Sequence, residues 1–215
     1  MQDTAAAEDR VWRGSTLEQR SDERRERLMA AGLEIFGTTG YQSSTVSGIC
    51  SAAKVSTRTF YELFDQRADL LEAVYTRITD QIRAEIEHLP TPTAAGIEAW
   101  ARDAVRAVVG PLLTDLRACQ VIEIEVVGLT PQIEERRRQT TLAIAQALDA
   151  VQLALADPTA QRRSTQADRE LVGVFIVGGI TESLVAHLRT APDVRRPAGD
   201  LLDVMTEIIL KVLRA

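Results

Sequence analysis

The stretch Thr45-Val46-Ser47-Gly48-Ile49-Cys50-Ser51-Ala52-Ala53-Lys54-Val55-Ser56-Thr57-Arg58-Thr59-Phe60-Tyr61-Glu62-Leu63-Phe64 contains two short helix-forming pieces and a three-residue joint. Thr45 is suited to cap the first piece, with Ile49 and Ala52 facing inward. The joint is Ala53-Lys54-Val55, and Val55 can plug the space between the helices. Ser56 caps the second piece, whose inward residues are Phe60 and Phe64. Thr57, Arg58 and Tyr61 lie on its other face. Two short helices across a tight turn make a helix-turn-helix, whose second helix can enter a DNA major groove. An arginine there can hold guanine in a bidentate contact, and hydroxyls at a helix start can reach phosphate. Taken alone, the same pair also fits a structural corner of a plain helical bundle.

The flanks are helical as well. Before the pair, a helix is expected from about Ser21. Its acidic first turn is Asp22 and Glu23, its stripe Leu28, Ala31, Ile35 and Phe36, and it ends at Gly37 and Gly40. Residues 1–20 read as a mobile polar tail, 21–66 as the helix-turn-helix unit and 67–215 as a second, helical unit. A long helix begins near Arg67, with the stripe Leu70, Leu71, Val74, Ile78, Ile82 and Ile86. Prolines 90, 92, 111, 131, 158, 192 and 197 mark expected boundaries. Between them, residues 94–109, 114–128, 132–156, 168–189 and 200–214 are rich in helix formers. Residues 121–127 alternate like a strand but have no partner strand, so they too read as helix.

Composition narrows the function. The chain has 215 residues, 45% of them hydrophobic, enough for a packed core. The net charge of −6 excludes a basic coat, so DNA binding must rest on a local patch. The tail and first helix mix Arg10, Arg13 and Arg20 with Glu8, Asp9 and Glu18, which makes them nearly neutral. No unbroken apolar run approaches ~18 residues, and the longest, Leu171 to Ile180, is about half of that. Cys50 and Cys119 are too few for a disulfide framework. His88 and His187 show no metal-ligand spacing. No catalytic constellation is legible, no cofactor is implied, and a cytoplasmic protein is expected.

The pattern Phe36 through Gly40-Tyr41, Ser44-Thr45-Val46, Ile49, Ala53, Val55-Ser56, Thr59-Phe60-Tyr61 and Phe64, then Arg67, Asp69, Leu70 and Leu71, resembles the TetR family of transcriptional regulators. The resemblance covers about residues 24–75. It implies an all-α fold: a three-helix head, a long fourth helix, and a helical ligand-binding body, about nine helices in all. It also implies that residues 21–66 bind DNA and that 67–215 bind ligand and dimerise, the homodimer being built through residues 168–189 and 200–214. Carried over by position, Thr45, Ser56, Thr57, Arg58, Thr59, Tyr61 and Arg67 are the DNA-contact candidates. Thr45, Tyr61 and Arg67 would hold phosphates, while Thr57 and Arg58 would read bases. Ser47, Gly48 and Glu62 depart from the family's habits. Lys54 stands where glycine is common, which implies a left-handed backbone there.

The body offers fewer marks. The helix 168–189 is apolar on every side and is expected to be buried all round, with core on one side and a partner subunit on the other, the alternative being a fully internal core helix in a monomer. Gly173, Gly178 and Gly179 would permit close helix approach. Glu123 and Glu182 sit in apolar surroundings and need partners, either Arg102, Arg117 or Arg137 or a bound ligand. Candidate walls of a ligand cavity are Trp100, Val105, Val109, Cys119, Glu123, Val127, Phe175, Gly178 and Glu182. The expected function is a repressor on a pseudo-palindromic double-stranded operator, released by a small lipophilic or aromatic effector. The alternative is a helical ligand-binding or catalytic protein whose head no longer binds DNA.

Overall fold

A computed structural model describes residues 17–155 and 165–214, and every regular element among them is helical. Helix α1 spans Leu17–Thr38. It starts four residues before the expected Ser21, because Leu17, Glu18, Gln19 and Arg20 are themselves good helix formers. The rest of the expected tail, residues 1–16, lies outside the described residues. Leu28, Ala31 and Phe36 are buried along α1.

Helix α2 (Val46–Ala53) and helix α3 (Thr57–Leu63) form the corner. Ala53, rather than Ala52, is the buried alanine of α2, since it completes the turn below Ile49 and Cys50. Helix α4 (Arg67–Glu87) opens on a capping box between Gln66 and Asp69. Its Leu70 and Leu71 close the head's core with Leu28, Phe36, Ile49 and Phe60, all fully buried. The same helix then carries Val74, Tyr75, Ile78 and Ile82 into the body.

The body begins with a short 3-10 turn and helix α5 (Ile97–Thr114). Pro111 does not break α5, contrary to expectation. It sits exposed one turn from the end, and its carbonyl accepts the Asp115 N–H at 3.0 Å to close the helix. Helix α6 (Leu116–Gln120) runs into a π-helical turn, Val121–Glu125, so the strand-like stretch is helical through Glu125 and leaves as a turn at Val126 and Val127. Helices α7 (Pro131–Leu155), α8 (Gln166–Arg189) and α9 (Ala198–Leu213) complete the fold. Residue 156, expected in α7, lies outside the described residues.

Helix α8 packs mainly on α7, and α9 on α5. At the first contact Gly173 is pressed against Ala145, where a Cβ would lie 2.7 Å from the Ala145 Cα. By length and composition α8 is apolar enough to cross a membrane, with a mean hydropathy of 1.8. The expectation of no such segment counted unbroken runs and missed this average. In the fold one side of α8 buries Gly173, Ile176, Leu184 and Val185. The other side leaves Leu171 and Phe175 68% and 69% exposed.

Candidate DNA-reading face and ligand cavity

The corner is held by its own polar side chains. Thr45 Oγ1 accepts the Gly48 N–H at 3.0 Å and Ser56 Oγ accepts the Thr59 N–H at 3.0 Å, so each short helix carries an N-cap. Lys54 adopts φ 54° and ψ 45°, the left-handed conformation inferred from its position. Its N–H closes α2 on the Cys50 and Ser51 carbonyls. Phe60 is fully buried and stacks edge-on with Tyr61 at 5.4 Å. Burying Phe60 forces the opposite face of α3 outward. Thr57 and Tyr61 are exposed there, and the Arg58 side chain is 89% exposed. Arg58 Nε donates to Glu62 Oε1 at 2.9 Å, a pair one helical turn apart. This contact occupies Nε and orients the guanidinium along the helix.

Arg67 is placed differently. It is half-buried, donates to the Ser44 carbonyl and to Ser44 Oγ, and lies 4.1 Å from the Tyr41 ring centroid. It therefore ties the start of α4 to the residue before Thr45. Thr45 and Ser56 are exposed, and Thr59 is half-buried with its hydroxyl 2.9 Å from that of Ser56.

The head is joined to the body at the far end of α1. Gly37 packs against α6, where a Cβ would come within 2.6 Å of the Arg117 Cα. Arg117 donates to Glu34 at 2.5 Å and to Asp115 at 2.7 Å. Its guanidinium holds the Asp115 carboxyl below the usual carboxylate range. Glu125, in the π-turn, accepts the Tyr41 N–H at 2.7 Å and the Gln120 side-chain amide at 2.7 Å. Tyr41 is the residue whose ring Arg67 covers, so the π-turn is linked through two side chains to the start of α2.

Two residues earlier in the same turn, Glu123 faces a cavity of about 110 Å³ between α4, α5, α7 and α8. Ile82, Val108, Leu112, Ile144, Val177 and Leu184 make it largely apolar. Its polar groups are Tyr75, Glu123, Arg137, Thr140 and Thr181, with Thr79 and Thr141. The Thr181 side chain lies beside Glu123, and that of Thr140 beside Tyr75. Burial pushes the Glu123 carboxyl up, against the opposing pull of Thr181 and Arg137. Burial also raises Tyr75, and lifts Cys119 to about 12 with Glu123 adding to the effect.

Residues 28–74 match the model of the bacterial regulatory proteins of the tetR family. The match covers the second half of α1, all of α2 and α3, and the start of α4, and leaves the body outside it. A curated relative, the HTH-type transcriptional regulator HbdR of Aromatoleum sp. (strain CIB), is 33% identical over 89 residues. That alignment spans 39% of this chain and 39% of the relative. Among solved structures, the transcriptional regulator FadR of Bacillus subtilis, in complex with stearoyl-CoA, superposes with a TM-score of 0.68 at 20% identity. It covers 88% of this chain and 97% of that one. The fatty acid degradation regulator FadR of Bacillus halodurans gives 0.66 at 19% identity, covering 88% and 94%. A TetR family transcription regulator of Marinobacter aquaeolei gives 0.67 at 16%, covering 91% and 98%. At these identities the structures share the fold with this chain.

Of the nine cavity residues expected in the body, the structure brings only Glu123 to the cavity wall. Val105 and Val109 are buried in the core, while Val108 and Leu112 take the wall positions of α5. Cys119 is fully buried behind the wall, and Trp100 donates its indole N–H to the Pro90 carbonyl at 2.7 Å. Val127 is exposed beyond the π-turn. Phe175, Gly178 and Glu182 lie on the exposed side of α8, whereas Val177, Ile180, Thr181 and Leu184 face the cavity. On α8 the error is a single residue, which turns a helix by about 100°. Arg137, one of three proposed partners for Glu123, does reach the cavity. Tyr75, Thr140 and Thr181 went unrecognised, because threonines and a tyrosine on helices look like any surface-to-core transition until the neighbouring helices are in place.

Proposed function

We propose that the chain is a dimeric transcriptional repressor that reads a pseudo-palindromic operator with α3 and releases it when a small lipophilic or aromatic effector enters the body cavity. The observation that carries this reading is the α3 face. Thr57, Arg58 and Tyr61 stand outward from a short helix that caps and a buried phenylalanine hold rigid. In this reading Arg58 and Thr57 meet base edges, and Thr45, Ser56, Thr59 and Tyr61 meet phosphates. Arg67 acts chiefly by holding Tyr41 and Ser44, and so positions α2.

The dimer forms through the exposed apolar side of α8 and through α9, where Ile208 is 54% exposed. A Cβ at Gly178 or Gly179 would meet nothing in this subunit, which leaves room for a partner helix. Two heads then present their α3 helices about one DNA turn apart, ~34–36 Å. The work is done in the cytoplasm by binding, not by catalysis. The effector is small: about 110 Å³ is below the ~300–1,000 Å³ of typical ligand sites, so stearoyl-CoA bound by the Bacillus protein is a poor guide to size. Pressure on Ile122 and Glu123 moves the π-turn, and Glu125 and Arg117 pass the shift to Tyr41 and α1. Such coupling amounts to ~1–3 kcal/mol and is reciprocal, so operator weakens effector binding by the same factor.

The test is binding of the purified chain to DNA from upstream of its own gene, against random DNA across a salt series. Arg58→Ala should lose ~10–100-fold in operator affinity and most of its preference over random DNA, while staying folded. Tyr61→Phe should weaken both DNAs alike. Equal weak binding of the unmodified chain to both DNAs at all salt concentrations, with no effect of Arg58→Ala, would defeat the proposal.

A further inference from the structure

Charge around the cavity is unevenly paired. Arg137 lines the wall, but its guanidinium donates to both carboxylate oxygens of Glu134, at 3.3 Å each. Glu134 in turn accepts the Gly128 N–H at 2.6 Å. Glu123 has the Thr181 side chain beside it, and among the described residues no basic nitrogen lies within ion-pair distance of it. The cavity wall therefore carries one carboxylate and one guanidinium, and the guanidinium is already engaged by Glu134 outside the wall. A buried carboxylate without a cation is costly, and a complementary charge offsets that cost. A ligand carboxylate would add a further negative charge to the same place. The rest of the wall is mainly aliphatic, interrupted by Tyr75, Thr79, Thr140 and Thr141, and the volume is close to that of a single ring: a cavity of about 150 Å³ holds benzene.

We infer that the effector of this cavity is a small lipophilic amine whose protonated nitrogen pairs with Glu123 and is oriented by Thr181, with its apolar body against Ile82, Ile144 and Val177. The inference rests on the proposal that this cavity is the effector site. In the complex Glu123 is ionised and keeps Thr181 beside it. Arg137 stays with Glu134 and closes the polar side of the site.

Calorimetric titration of the full-length chain near neutral pH with benzylamine, benzyl alcohol and benzoate separates the two claims. Benzylamine should bind at least ~10-fold more tightly than the other two, the margin of one charge-assisted hydrogen bond. Glu123→Gln should remove that margin and leave benzyl alcohol unchanged, and Ile144→Trp should fill the cavity and abolish all binding. Benzoate binding most tightly would give the recognition to Arg137 and overturn the amine assignment, as would a Glu123→Gln chain that keeps the benzylamine margin. In both cases sensitivity to Ile144→Trp would leave the cavity standing as the effector site. Benzylamine binding unchanged in Ile144→Trp, or no binding of any of the three, would remove the cavity itself and the amine with it. The unmodified chain's preference among the three probes decides the matter even if a variant folds poorly.

Discussion

A carboxyl in an apolar wall is a pH-dependent burden on the fold. Burial raises Glu123 above the ordinary value of 4.5, so the folded chain binds this proton more tightly than the unfolded one. Stability then falls as pH rises through the interval between the two values, and the full penalty is present above the folded one. Glu123→Gln keeps a polar oxygen beside Thr181 and cannot ionise. It should therefore melt higher than the parent at mildly alkaline pH, by about 2–4 °C if the penalty is ~1 kcal/mol. The difference should vanish below the unfolded carboxylate range, and thermal melts across pH would show it. A constant difference at all pH values would mean that packing, not ionisation, separates the two side chains. Lys54 carries a second local burden, a left-handed backbone in a residue with a Cβ. Lys54→Gly relieves it, and the melting temperature should rise by ~1–3 °C, the larger unfolded-state entropy of glycine taking back part of the gain.

At the scale of elements, the joint between α1 and α6 decides whether the head can sense the body. Gly37 permits backbone contact that a side chain would forbid. Gly37→Ala should cost about 1–3 kcal/mol as α6 is pushed away, seen as a lower melting temperature. It should also loosen Arg117 from Glu34 and blunt the release of operator by effector, while affinity for operator without effector changes little. A variant with unchanged melting and full release would show that the signal takes another route, such as α4. The π-turn beside it is the other half of this device. It puts Glu123 in the cavity and Glu125 on the Tyr41 N–H, two directions that the turn's wider winding serves within three residues.

For the whole molecule, the exposed apolar side of α8 and Ile208 of α9 are the features that a monomer would not tolerate well. Phe175→Glu combined with Ile208→Glu should reduce the mass in light scattering to one subunit. Operator affinity should then fall by ~10²-fold or more, since each head would bind its half-site without the other's effective concentration. A variant of unchanged mass would place the interface elsewhere.

The head was legible residue by residue because its determinants are local. Thr45 and Ser56 cap the helices they start, Lys54 takes the turn its position requires, and Phe60 and Phe64 point inward at helical spacing from one another. Each of these depends on neighbours within four or five positions, which a chain read in order displays. Proline placement was less informative, since Pro111 sits within α5 near its end. The cavity was not legible, and Glu123 was its one recognised member. Which side of α5 or α8 faces inward depends on the rotation of each helix against α4 and α7, and a helix apolar all round carries no mark of that rotation. Close packing of Gly173 on Ala145 sets the phase of α8, sending Val177 and Thr181 to the cavity and Phe175 and Glu182 to the surface. That contact joins residues far apart in the chain, so only the assembled fold could choose between the two faces.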